Sequence, residues 1–165
     1  GLVGSEMCIR DSPVQMRTGE VKPLCDLLGP GSHGTTFGGT PLICSGALEV
    51  LRMIEEEGLL ANARARGAQA LERLRGLRSP WIREVRGVGL MIGIELVADF
   101  ASRCGLPAGK APSIEMVERQ HAAGLMTIPS GTHTLRWLPP LNVTEADIDH
   151  ATRIFHSVLE TLPCA

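Results

Sequence analysis

The sequence predicts a mixed α/β fold, in which two helices precede a set of short strands and a long helix closes the chain. Apolar residues recur at helical spacing from residue 41 to residue 77. Short apolar runs bounded by glycine and proline follow between residues 82 and 138. Helical spacing then returns over residues 145–162.

The first third of the chain begins with loops and continues into helices. Residues 13–32 are rich in proline and glycine, so we expect loops there and at most one short helix, over Val21–Leu28. A helix is predicted over residues 41–57, because Thr40 is a good N-cap and Pro41 suits the first helical position.

A second helix is predicted over residues 59–77. Its many arginines are interleaved with alanine and glutamate, which indicates a solvated face rather than a nucleic-acid surface. Strands are predicted over residues 82–85 and 90–96, followed by a loop over residues 98–111.

The remaining elements follow from the same periodicities. We expect a helix over residues 112–122 and short strands over residues 125–128 and 134–138. A last helix is predicted over residues 145–162, with Thr144 as its N-cap.

The composition excludes several classes of function. Apolar residues make up 44% of the chain, charged residues 21%, and the formal net charge is −2, which is typical of a soluble globular protein. Aromatic residues are few and no basic block is present, so we expect no nucleic-acid partner. No apolar run is long enough to span a membrane, so we expect no membrane association.

Cysteine and histidine usage indicates neither a disulfide framework nor a metal site. The cysteines are odd in number and lack C-x-x-C spacing, which favours reduced thiols in a cytoplasmic protein. The N-terminus has no signal-peptide pattern, in agreement with that location. His121 has no partner histidine at ligand spacing, so we interpret it as a surface or half-buried residue.

The first candidate site is the loop His33–Pro41, which contains two threonines before a Gly-Gly pair and leads into a helix. Glycines allow the backbone to approach a ligand closely, and a helix N-terminus favours anions such as phosphate. The alternative is an ordinary turn before a capped helix, which composition alone favours.

The second candidate is Arg136, which lies inside an otherwise apolar strand before a double proline. Its planar guanidinium can bind a carboxylate through two parallel hydrogen bonds. The alternative is a solvent-facing strand residue, with Leu135 and Trp137 on the buried face.

These two stretches resemble one family. GSHGTTFGGTPL is similar in residue type and order to the cofactor loop of the class III pyridoxal-phosphate-dependent aminotransferases, in particular the acetylornithine and ornithine transaminases. LRWLPPLNVT resembles the same family's R-F-x-P-P-L motif, and IREVRGVGLMIGIEL resembles the entry to its small domain. Thr40 departs from the pattern, since the family usually has asparagine there.

The resemblance implies both a fold and site residues. It implies the C-terminal part of a fold type I PLP-dependent transferase, including an α+β small domain with a mainly antiparallel sheet and helices. Thr36 would bind the cofactor phosphate across a homodimer interface. Thr35 and Arg136 would bind the substrate, with Arg136 on the α-carboxylate. Apolar faces of the chain would pack against the rest of the enzyme, so we expect exposed apolar patches.

The catalytic lysine of the family, which forms a Schiff base with pyridoxal phosphate, has no counterpart that we can identify. It would fall near Glu6, and neither Lys22 nor Lys110 fits the position. We interpret residues 1–12 as foreign or mis-assembled sequence joined to a truncated enzyme, and therefore expect no catalytic residue and no activity from this chain alone.

The implied domains follow the same alignment. After residues 1–12, residues 13–40 would end the large cofactor-binding domain and carry the phosphate loop. Residues 41–78 would form connecting helices, and residues 79–165 would form the small C-terminal α/β domain.

The implied reaction moves an amino group from N-acetylornithine, or a similar ω-amine, to 2-oxoglutarate, as in arginine biosynthesis. The partners would be a second copy of the chain, an amino acid and a 2-oxo acid. One alternative is another class III transaminase, acting on ornithine, 4-aminobutyrate or succinylornithine. The other is a non-catalytic interaction module without the lysine.

Overall fold

The computed structural model describes residues 13–15, 21–23 and 38–163. The chain divides into two compact units, residues 1–50 and residues 51–165. No helix in the described part of the chain is long and apolar enough to cross a membrane.

The described residues of the first unit begin with a pair of short antiparallel strands. β1 (Pro13–Gln15) pairs with β2 (Val21–Pro23) so that Val14 lies opposite Lys22. The predicted helix over Val21–Leu28 is therefore wrong over its first three residues, and residues 24–28 lie outside the described part. The reason is local, because a residue that precedes proline is pushed towards extended backbone.

Helix α1 (Pro41–Glu56) begins where the sequence predicts. The amide of Cys44 donates to the carbonyl oxygen of Thr40 at 2.9 Å, which is the first intrahelical bond. No residue of α1 is buried, and apolar Leu42 and Leu48 are 81% and 67% exposed. The expected exposed apolar surface is therefore present on this helix. Cys44 is also exposed, as a free thiol.

Helix α2 (Leu59–Gly76) follows Gly58, whose φ of 63° lies in the left-handed region that favours glycine. Its buried face contains Gly67, Ala70 and Leu74. A Cβ added at Gly67 would overlap the carbonyl oxygen of Gly89, so α2 lies directly against the turn that precedes the fourth strand. Only glycine permits this approach at residue 67.

The second unit contains a four-stranded antiparallel sheet. Its strands are β3 (Ile82–Val88), β4 (Met91–Leu96), β5 (Ile128–Ser130) and β6 (Thr134–Trp137), in the spatial order β3-β4-β6-β5. The strand predicted over residues 125–128 is shifted, because the amide of Leu125 donates back to Gln120 at 2.8 Å and is used to end the preceding helix.

Three helices complete this unit: α3 (Phe100–Arg103), α4 (Pro112–Ala122) and α5 (Glu145–Glu160). The short α3 lies within the stretch predicted as a loop. Thr144 caps α5 through a capping box with Asp147, as the sequence predicts for the cap residue.

The core lies between one face of the sheet and the helices. Alternate residues of β4 and β6 are buried, and two aromatic pairs in edge-to-face geometry add to the packing. Trp137 packs on Phe155 of α5 with ring centroids 5.6 Å apart. The fully buried apolar side chains include Ile92, Ile94, Leu135 and Phe155.

The arginine-rich face of α2 contacts α5 rather than only solvent. Arg66 pairs with Glu145 and Arg73 with Asp149, each at 3.0 Å. The Arg73 hydrogen bond lowers the pKa of Asp149. Arg64, Arg73 and Arg75 are nevertheless exposed, in agreement with the predicted solvated face. Sequence periodicity does not indicate that α5 lies beside it.

An arginine of α2 also reaches the outermost strand of the sheet. Arg75 donates from Nε and Nη2 to the carbonyl oxygen of Val85 on β3, at 3.2 and 3.1 Å. Farther along, Arg83 and Arg86 pair with Glu95 of β4. Side-chain contacts therefore hold β3 in the second unit, in addition to its backbone pairing with β4.

Candidate functional site

Arg136 lies in the middle of β6, on the face opposite the core. Its neighbours Leu135 and Trp137 are 0% and 4% exposed, whereas Arg136 is exposed. This is the alternation that a strand imposes on successive side chains. This is the arrangement of the solvent-facing alternative, and an accessible guanidinium is equally what carboxylate binding requires, so the role of Arg136 stays a prediction.

Arg136 has glycine and isoleucine as its direct cross-strand neighbours. Gly93 of β4 lies directly opposite on one side and Ile128 of β5 on the other. Arg86 of β3 is the next residue in the same row, opposite Gly93. Gly93 has no side chain, and a Cβ added there would lie 3.5 Å from Thr134 Cγ2 and 3.8 Å from Arg86 Cγ.

The two arginines of this row differ in their pairing. Arg86 contacts Glu84 at 3.0 Å and Glu95 at 2.5 Å, and its hydrogen bond lowers the pKa of Glu95. The Arg136 side chain forms no hydrogen bond or ion pair with any residue that the structure describes. Its five N–H donors therefore stay accessible for a planar anion such as a carboxylate.

A cavity of about 230 Å³ adjoins the Arg136 side chain and is called the Arg136 pocket below. Apart from the arginine its lining is largely apolar. An apolar lining lowers the local dielectric, which strengthens an ion pair formed there. The lining residues are His121, Met126, Thr127, Ile128, Arg136 and Leu138.

His121 is a residue of this pocket that sequence reasoning missed. Its Nε2 lies 2.8 Å from the carbonyl oxygen of Thr127 and 3.2 Å from the amide nitrogen of the same residue. Either tautomer thus makes one hydrogen bond, and the ring holds Thr127 beside α4. No sequence signal predicts this contact, which depends on the reversal of the chain at Gly124, where φ is 88°.

The other predicted site residues, Thr35 and Thr36, lie outside the described residues. The structure does describe the end of their loop. Gly39 has a φ of 81°, with open space where a Cβ would be, and α1 begins two residues later. An open glycine turn at a helix N-terminus fits a phosphate group. Thr36 and Arg136 belong to different units of the chain.

Lys110 has the wrong surroundings for a Schiff-base lysine. Its Nζ lies 2.6 Å from both Glu115 and Glu118, and these hydrogen bonds raise the pKa of Lys110. A nucleophilic lysine needs the neutral amine, so two carboxylates oppose that role. The Lys22 side chain lies outside the described residues. Within the described part of the chain, no group of three or more potential metal ligands is found.

The fold is shared with solved aminotransferases. Ornithine aminotransferase of Toxoplasma gondii, 31% identical, matches with a TM-score of 0.65 over 84% of this chain and 31% of its own. Pyridoxal phosphate partly occupies the active site of that protein. The predicted fold class, part of a PLP-dependent transferase with a small antiparallel sheet and helices, is confirmed.

Residues 13–159 match the family model described as aminotransferase class-III. Acetylornithine aminotransferase of Synechocystis sp. is 39% identical over 144 residues, or 86% of this chain and 32% of that relative. Ornithine aminotransferase of Bordetella pertussis is 42% identical over 135 residues, or 81% and 30%. The chain belongs to the class III aminotransferase family, and family membership implies pyridoxal phosphate as cofactor. It spans about a third of the length of these relatives.

Proposed function

We propose that this chain is the substrate-carboxylate-binding part of an aminotransferase that moves an amino group from N-acetylornithine, or a similar ω-amine, to 2-oxoglutarate. The observation that carries the proposal is the Arg136 guanidinium, exposed beside a largely apolar pocket and unpaired among the described residues. We further propose that the enzyme is a cytoplasmic homodimer and that it acts in arginine biosynthesis. In this chain, residues 13–40 would end the cofactor-binding domain, residues 41–78 would form connecting helices and residues 79–165 the small domain.

In this proposal Arg136 orients the substrate. Its fork binds the carboxylate through two hydrogen bonds, which fixes the direction in which the rest of the amino acid extends. Holding a reactant in this way can contribute several kcal/mol to catalysis. Pyridoxal phosphate, when bound, supplies the electron sink for the amino transfer.

The proposed anchor of the cofactor is Thr36, with Thr35 on the substrate side. The support is the family motif together with the glycine turn and helix N-terminus that follow it. The hydroxyl of Thr36 would donate to the phosphate of the cofactor in the partner subunit. Because Lys110 is held by two carboxylates, we propose that the Schiff-base lysine is a residue outside this chain.

The substrate is the least constrained part of the proposal. Relatives named for acetylornithine and for ornithine are 39% and 42% identical to this chain, so identity does not separate the two substrates. Thr35 and Arg136 favour N-acetylornithine by their resemblance to that subgroup.

The role of Arg136 can be tested on the 165-residue chain itself by calorimetric titration with 2-oxoglutarate. Arg136→Ala should weaken binding by about tenfold to a hundredfold, since it removes hydrogen bonds to a charged group. Arg136→Lys should recover only part of the affinity, because an ammonium lacks the planar fork. Arg64→Ala removes the same charge from the exposed face of α2 and serves as the control. Equal losses in the Arg136 and Arg64 variants would reject the role.

Activity can be tested in a chimera that joins the upstream two thirds of the Synechocystis relative to residues 13–165 of this chain. We expect amino transfer from N-acetylornithine to exceed transfer from ornithine. Arg136→Ala should raise KM for the amino acid more than it weakens pyridoxal phosphate binding, and Thr36→Ala should speed cofactor loss on dialysis. A folded chimera without activity would favour the interaction-module alternative.

A further inference from the structure

The sheet face opposite the core carries exposed apolar side chains next to Arg136. Val88 of β3 pairs with Met91 of β4. Met91 lies two residues from Gly93, the partner of Arg136, and side chains at this spacing share one face of a strand. Val88 and Met91 therefore lie on the same face of the sheet as the guanidinium.

The same apolar surface continues beyond the paired residues of β6 and β5. Leu138 directly follows Trp137, whose partner in β4 is Ile92. Because Met91 directly precedes Ile92, Leu138 comes next to Met91 in this antiparallel pair. Met126 precedes β5 and lines the pocket described above together with Leu138. We call these four side chains the apolar row: Val88, Met91, Leu138 and Met126.

The side chains of the apolar row are 56% to 89% exposed. Single exposed apolar side chains are normal on a protein surface, but a contiguous group of them indicates a binding surface. Two strand spacings separate Leu138 from Val88, so this part of the row is about 9.5 Å long. An extended apolar chain that crosses the strands fits such a row better than a compact group does.

Arg136 lies between the apolar row and a charged part of the same face. Glu95 of β4 pairs with Thr134, two residues before Arg136, whereas Leu138 lies two residues after it. The carboxylate of Glu95 already accepts a hydrogen bond from Arg86. An unpaired cation thus borders the row on one side, and paired charges lie beyond it. This arrangement complements a molecule with one anionic end and one apolar end.

We propose that the Arg136 site takes aliphatic monocarboxylates of about eight carbons, with the carboxylate on the guanidinium and the chain across the apolar row. The inference rests on the carboxylate-binding role of Arg136 proposed above and adds the substituent that the neighbouring surface selects. Each methylene that leaves water adds to the affinity. A second carboxylate at the far end of the chain would lose hydration against the row without a counter-ion, so dicarboxylates of the same length are disfavoured.

The test uses the 165-residue chain with ¹³C-labelled methionine methyl groups and three probes, butyrate, octanoate and octanedioate. We expect octanoate to shift the methyl resonances of Met91 and Met126 saturably. Met53 of α1 is also exposed and serves as the internal reference, without a shift. Octanoate should bind at least about tenfold more tightly than butyrate, because four further methylenes are partly buried. It should also bind more tightly than octanedioate.

Three results would overturn the proposal. They are an equal shift of Met53, equal affinity for butyrate and octanoate, and affinity for octanedioate that equals or exceeds that for octanoate.

Two variants separate the contact with the chain from the contact with the carboxylate. Met91→Ala should weaken octanoate binding about threefold to tenfold and bring the affinities of octanoate and butyrate closer together. Leu48→Ala removes an exposed apolar side chain from α1 and is the matched control, with octanoate affinity unchanged. Arg136→Ala should weaken the binding of both probes about tenfold to a hundredfold. Equal losses in Met91→Ala and Leu48→Ala contradict the role of the row.

Titration with 2-oxoglutarate distinguishes failure of this inference from failure of the proposed function. Binding of 2-oxoglutarate that depends on Arg136, together with equal affinity for butyrate and octanoate, rejects the apolar row and leaves the proposed function intact. Binding of 2-oxoglutarate that is unchanged in Arg136→Ala rejects the carboxylate site, and this inference with it.

Discussion

Helices α1 and α5 have the same length of 16 residues but contrasting surroundings. α5 buries Ile148, Phe155 and three other side chains, whereas α1 buries none. Both show apolar residues at helical spacing. The difference teaches that periodicity predicts a helix and its apolar side but not whether another element covers that side.

The ends of the two helices differ as well. α5 begins with a capping box and acidic residues in its first turn, which complement the positive end of the helix dipole. α1 has no acidic residue in its first turn and ends in Glu55 and Glu56, where negative charge is unfavourable. Local interactions and tertiary packing thus both favour α5.

The largest expected effect comes from removing a packed side chain of α5. Phe155→Ala should lower the free energy of unfolding by about 3–5 kcal/mol, since the ring is fully buried against Trp137. Leu48→Ala in α1 should change it by no more than about 0.5 kcal/mol, because that side chain is 67% exposed. Urea denaturation of the two variants measures both values, and similar losses would show that α1 is packed as tightly as α5.

A glycine comparison sharpens the same contrast. Gly67→Ala should destabilise the protein by about 1–3 kcal/mol, because the new methyl group overlaps the backbone at Gly89. Gly46→Ala in α1 meets nothing within 4 Å and should raise helix content, since alanine favours a helix by about 0.5–1 kcal/mol. Circular dichroism and denaturation distinguish the outcomes; a stabilising Gly67→Ala would contradict the close approach of α2 to the turn.

The smallest expected effect is on the pH dependence of stability, through a carboxylate of the second unit. Hydrogen bonds from Lys110 and Arg119 lower the pKa of Glu115 on α4. Because the pKa is lowered, the carboxylate stabilises the fold at pH values above the ordinary glutamate pKa of about 4.3. This stabilisation is lost as the pH falls through the folded pKa. Glu115→Gln should therefore flatten the loss of stability in acid, as measured by denaturation at several pH values. An unchanged acid profile would show that these contacts contribute little.

Much of the fold could be predicted from local chemistry. Thr40 with Pro41, and Thr144 with its helix, set two helix starts that the structure confirms. Residues 112–122 form the predicted helix without change. The errors lie in short segments and at the ends of elements. The amide of Leu125 bonds to the end of the preceding helix, and Lys22 precedes a proline that favours extended backbone.

The candidate site was predictable in part. Strand alternation means that Arg136 faces either the core or solvent. Because Leu135 and Trp137 are buried, Arg136 faces solvent. The hydrogen bonding of His121 to Thr127 could not be predicted from the sequence. It requires a turn after α4 that brings Thr127 back beside that helix. The roles of Thr35 and Thr36 stay predictions.

The bond from Arg75 to Val85 bears on how copies of this protein behave at high concentration. An outermost strand with free carbonyl groups is a template for intermolecular sheet growth. Here the Arg75 guanidinium already donates hydrogen bonds to one carbonyl oxygen of β3. The same strand also carries the charged residues Arg83 and Glu84. Stacking of copies through β3 is thereby disfavoured, which protects the chain against amyloid-like assembly at this edge.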